Sequence, residues 1–120
     1  MKWSVLMALL ALSVVTATAK EPKTRDLLYA YDVLTEKGDR QGRQWVEAFI
    51  GEIVQGMIIA NQMLNSRKQP PLFCPPNIKI TNSQMIEMMR KTIRENPKWG
   101  DFRSAAVVLI VLQDTFLCHE

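Results

Sequence analysis

Polar residues vanish for eight consecutive positions near the end of the chain, from Ala105 to Leu112. A surface helix keeps a polar face, so a run apolar all round predicts a helix buried on nearly every side, spanning 101–116 with Asp101 as its N-cap. At about 1.5 Å per residue the run covers only about 12 Å, so it predicts a core helix and not a membrane span. Upstream, Leu27, Leu28, Tyr31 and Leu34 recur at helical spacing and predict a first helix over 24–37. Thr24 is its expected N-cap, Asp26 suits its first turn, and Gly38 is placed to stop it. Tyr29 and Tyr31 are expected to pack with their hydroxyls at the rim.

The second and longest helix is predicted over 40–65. Trp45, Val46, Phe49, Ile50, Ile53, Val54, Met57 and Ile58 come as neighbouring pairs four apart, a broad stripe wider than a coiled-coil seam. Gly51 and Gly56 each cost about 1 kcal/mol against alanine inside a helix, which predicts close approach of another helix at both. Glu47 and Glu52 point in different directions and are expected to be solvated. Residues 66–79 break the periodicity: Pro70, Pro71, Pro75 and Pro76 frame Leu72, Phe73 and Cys74, an ordered crossing loop with Leu72 and Phe73 against the core. Thr81-Asn82-Ser83-Gln84 is a capping box opening a third helix to 95, with Met85, Ile86, Met89 and Ile93 facing inward. Arg90, Lys91, Arg94 and Lys98 form a basic face, solvated by default, with Glu87 spaced to pair with Arg90 and Lys91. Asn96-Pro97 ends that helix, and Lys98-Trp99-Gly100 turns the chain into the last one. The fold class is all-α, a compact bundle of about four helices.

The chain starts with Met1-Lys2, the apolar stretch from Trp3 to Val15, and Ala17-Thr18-Ala19, the pattern of a cleaved secretory signal peptide over 1–19. One helical domain over 20–120 then remains, with no membrane attachment after cleavage. The formal charge of +3 falls by one with Lys2, too weak a basicity to indicate nucleic acid. Export makes the cysteines informative. Two cysteines in an oxidising compartment, with no metal pattern, predict a Cys74–Cys118 disulfide in a periplasmic protein.

Parts for catalysis are missing. The one histidine, His119, is the penultimate residue, and Ser66, Ser83 and Ser104 sit in no nucleophile motif. No CxxC, metal-ligand set or glycine-rich phosphate loop is present, so neither a metal nor a cofactor is expected. The residues describe a secreted, all-helical, single-disulfide binding protein.

Taken together, several features resemble the type VI secretion amidase immunity (Tai/Rap) family of periplasmic proteins. They are the leader, Trp45-Val46-Glu47-Ala48-Phe49-Ile50-Gly51 with Gly56 and Met57 downstream, Leu72-Phe73-Cys74-Pro75-Pro76, Thr81 to Gln84 opening a helix that closes at Glu95-Asn96-Pro97, and an Ala-rich apolar helix ending Thr115-Phe116-Leu117-Cys118. The resemblance implies a cognate peptidoglycan amidase effector as partner, its Cys-His active site blocked sterically, and it admits a homodimer. A periplasmic acid-stress chaperone is the alternative, but such chaperones need groups that titrate on acidification, and no histidine cluster is present. Blocking a concave site needs a protrusion, and the loops at 66–72 and 96–101 qualify. In the second, Trp99 stands between Lys98 and Asp101, with Arg94 one helical turn upstream, and tryptophan is enriched among interface hot spots. Trp99 can equally fold back as a lid over Met89 and Ile93, as the Asn96-Pro97 turn favours.

Overall fold

Among the described residues four α-helices follow the predicted periodicities: α1 (Thr24–Glu36), α2 (Arg40–Ser66), α3 (Asn82–Glu95) and α4 (Ser104–Thr115), with a 3-10 turn (Pro97–Asp101) between the last two. The structure is a computed structural model and describes residues 22–76 and 79–118. The signal peptide expected over 1–19 and His119 lie outside the described residues.

The bundle is compact and all-helical, and it closes around α3 and α4. Met85, Ile86 and Met89 of α3 meet Val107, Val108, Val111 and Leu112 of α4, all with 2% exposure or less. Leu27, Leu28 and Tyr31 of α1, Val46 and Ile50 of α2, and Phe73 of the loop complete the core. The capping box is present in full: the Thr81 hydroxyl accepts from the Gln84 amide while the Gln84 side chain accepts from the Thr81 amide. Gly38 stops α1 at φ 68°, where a side chain would be strained.

The proline-framed loop crosses the bundle as expected, held from two sides. Cys74 and Cys118 form a disulfide with their Cα atoms 5.0 Å apart, and the Cys74 amide donates to the Phe116 carbonyl at 2.9 Å. From α2 the buried Asn61 accepts from the Leu72 amide at 2.7 Å and donates to the Phe73 carbonyl at 2.8 Å. Phe73 is thereby buried and Leu72 half-buried.

Several local expectations are overturned by long-range partners. Asp101 does not cap the last helix, because its carboxylate is taken by Arg25 at 2.6 Å and by Lys23 at 3.8 Å. Phe102 and Arg103 are extended, so α4 begins only at Ser104, and it ends at Thr115 with Phe116 just past it. Thr24 is not the N-cap of α1. Fully buried in its first turn, it donates through both its amide and its hydroxyl to the Phe102 carbonyl, at 2.9 and 2.7 Å. Arg90 is not part of a solvated face, since its guanidinium makes two parallel 2.8 Å bonds to Asp32 of α1. Lys91 pairs with Glu95 at 3.9 Å, leaving Glu87 to Arg90 at 3.4 Å.

The broad stripe of α2 is divided between two faces. Val46 and Ile50 are buried, whereas Trp45 is 66% exposed. Gly51 is where the neighbouring helix approaches, and a Cβ there would lie 2.7 Å from the Asn82 side chain. At Gly56 nothing lies within 4 Å of that position, so the expected close approach is absent.

Glu47 is not simply solvated, nor is the Tyr31 hydroxyl free at the rim: the phenol donates to the Glu47 carboxylate at 2.7 Å. Burial, then that hydrogen bond and the carboxylate's charge, push the Tyr31 phenol up to about 12. The folded state thus favours the neutral phenol, so this contribution is intact below about pH 10 and is lost as pH rises toward 12. Urea-unfolding midpoints should fall across that interval, and less steeply in Tyr31→Phe; identical slopes for both proteins would contradict it.

Candidate functional site

The α3–α4 connection is short, and its shape follows from Pro97. Proline at the first position of a helical turn needs no amide partner and presets φ, so a new 3-10 turn starts directly after Asn96. The Trp99 amide donates to the Asn96 carbonyl at 3.0 Å and the Phe102 amide to the Trp99 carbonyl at 3.1 Å.

Arg25 of α1 braces this turn from below. Its guanidinium donates to Asp101 at 2.6 Å and to the Pro97 carbonyl at 2.9 Å, tying together the first and last residues of the turn. It lies across Gly100, where a Cβ would come within 2.9 Å of Nη2; Gly100 is buried for that reason. Each exposed ion pair here contributes at most about 1 kcal/mol, but the fork of Arg25 fixes geometry as well as energy. Beyond Asp101, the antiparallel bridge between Lys23 and Arg103 joins the turn's exit to the start of α1.

On this base stand two aromatic rings. Trp99 and Phe102 meet edge-to-face, with ring centres 4.9 Å apart and planes at 71°, a favourable arrangement for aromatic pairs. The Lys98 ammonium lies 5.0 Å from the centre of the Trp99 ring, within cation–π range. Trp99 is half-buried against the core, while Phe102 is 44% exposed. The tryptophan therefore takes neither expected role in pure form: it is the packed base of the turn, and Phe102 carries the aromatic surface outward.

No protein-family model, curated protein or solved structure matches this chain.

Of the residues expected to meet a partner, the structure brings Lys98, Trp99 and Asp101 into one turn. Arg94 stands apart, exposed in the last turn of α3 with no ion pair among the described residues. The other candidate loop, 66–72, is exposed through Pro71 and carries no aromatic residue until the chain turns inward. Cys74 and Cys118 are bonded to each other and so serve as a staple. Phe102 and Arg25 complete the site and escaped the sequence reading. Phe102 was assigned to the last helix, and Arg25 reaches a partner 76 positions away, for which no local spacing rule exists. Among the described residues no group of His, Cys, Asp or Glu is arranged to hold a metal ion, and no helix is long and apolar enough to cross a membrane. Chemically the site offers aromatic surface, cations around one carboxylate, and a fixed backbone. Those are parts for recognition.

Proposed function

We propose that the protein is a periplasmic immunity protein that binds a type VI secreted peptidoglycan amidase and blocks its active site sterically, without chemistry of its own. The turn carrying Lys98, Trp99 and Phe102 is the element it presents. The observation that carries this reading is the Arg25 brace. A turn held at Asp101 and Pro97 and backed by a half-buried tryptophan has little conformational freedom left to lose on binding. The resemblance of the chain to amidase immunity proteins supplies the class of partner, and the disulfide is compatible with an oxidising compartment.

The test is inhibition of a peptidoglycan amidase with a Cys-His active site, sought first in the neighbouring gene, with affinity measured by titration calorimetry. Phe102→Ala removes a 44% exposed ring that meets Trp99 edge-to-face, so stability should fall only modestly, by about 1 kcal/mol. The same variant should weaken binding by about 30-fold, the loss expected for an interface anchor worth about 2 kcal/mol. Trp99→Ala should lower stability as well, because the indole packs on the core. Full affinity in Phe102→Ala and Lys98→Glu alike would remove the turn from the interface. Absence of any binding, with suppression of aggregation at low pH instead, would replace this reading by the chaperone one.

A further inference from the structure

Between α2 and the proline-framed loop lies a groove of about 400 Å³, within the size range of small-ligand sites. Val54, Ile58 and Gln62 follow at intervals of four along α2 and form one wall, with Asn61 beside them. The floor is apolar: Val54, Ile58, Phe73, Ile80 and Leu112. The rim is polar, and its groups are mostly of one kind. Gln55, Gln62 and Asn82 each bring an exposed carboxamide with no hydrogen-bond partner among the described residues. The buried Asn61 gives its oxygen and one N–H to the loop, leaving its second N–H uncommitted among the described residues. Lys79 is the one charged residue among those described that line the groove, and it has no ion pair among them. The neighbouring hollow beyond Ile80 differs. There Tyr31 donates to Glu47, Gln84 closes the capping box and Glu87 pairs with Arg90, so the polar groups are already taken.

We propose that this groove binds the C-terminal end of an extended polypeptide whose last residue is apolar. A primary carboxamide both donates and accepts, as a peptide unit does. Three at one rim can therefore pair with the backbone N–H and C=O groups of a strand lying across them. A bare alkyl chain would leave those carboxamides nothing to bond. The apolar floor takes the final side chain, and the Lys79 ammonium takes the terminal carboxylate. Charge complementarity favours that occupant, because no described carboxylate lines the groove to repel it. A groove of this size takes about two or three residues, so binding is modest, with a dissociation constant on the order of 100 µM. The groove shares no residue with the aromatic turn, and its occupant does not depend on the amidase reading.

The test is a titration of the oxidised, isotope-labelled protein with three probes: acetyl-Ala-Ala-Leu as the free acid, the same peptide as its C-terminal amide, and octanoate. The free acid should shift the backbone amide resonances of Ile58, Asn61 and Phe73. The C-terminal amide should bind about fivefold more weakly at low salt, the upper value for one exposed ion pair. Lys79→Gln should erase that difference between the two peptides. The double variant Gln55→Ala/Gln62→Ala should not lower the melting temperature, since neither side chain has a partner to lose among the described residues. It should weaken binding of the free acid about tenfold. No shifts at millimolar peptide, or shifts confined to other surfaces, would overturn the proposal. So would octanoate binding as tightly as the peptide with the double variant unaffected, which would make this a site for aliphatic carboxylates.

Discussion

Cys74→Ser should lower the stability of the oxidised protein by roughly 4 kcal/mol, the largest loss expected of any single substitution outside the core. The bond joins residues 44 apart, and closing a loop of that length removes much of the freedom of the unfolded chain. Net stabilities of small domains are about 5–15 kcal/mol, so the variant keeps only a fraction of its margin. The native loop need not collapse, since the Cys74 amide bond to Phe116 and the Asn61 contacts do not require the sulfur. Urea unfolding of wild type, of Cys74→Ser and of reduced wild type measures this, and the last two should agree. A loss under about 1 kcal/mol would mean that the unfolded chain is already restricted in this region.

Asn61→Leu should cost about 2–4 kcal/mol although leucine fits the helix better. The leucine leaves the Leu72 amide and the Phe73 carbonyl without their side-chain partner, and each such group costs about 1–3 kcal/mol where it is buried. The Phe73 ring, 2% exposed, is held inward by those bonds. Asn61 and Cys74 hold the same loop, so their combined effect should not be additive. A double-mutant cycle with Cys74→Ser should give a coupling of at least about 0.5 kcal/mol, and strict additivity would show that the two restraints act on separate parts of the loop.

What could be read from the sequence was local or periodic. The inward faces of α1 and α3 follow from Leu27, Leu28, Met85, Ile86 and Met89 at helical spacing, and the Thr81–Gln84 box is complete within four residues. The disulfide was legible because two cysteines allow one pairing. The polar pairs were not legible. Arg25 with Asp101, Arg90 with Asp32, and Tyr31 with Glu47 join residues 76, 58 and 16 positions apart. Asp101, Arg90, Tyr31 and Glu47 each had a satisfactory local role already, and Arg25 and Asp32 carried no local signal at all. Asp101 shows the mechanism: an aspartate just before an apolar helix suits an N-cap, but a guanidinium at 2.6 Å competes successfully for the same carboxylate. Gly51 and Gly56 look equivalent in sequence, yet one lies against Asn82 and the other against open space.

The bridge between Lys23 and Arg103 also decides where anything attached to this protein will stand. The backbone before Lys23 leaves from beside Phe102, so a tag, dye or fusion partner placed there crowds the aromatic turn. One placed after Cys118 sits at the other end of α4, about 18 Å away along its axis. Affinity measurements made with labels at the two ends should therefore differ, and only the far-end label reports the turn undisturbed.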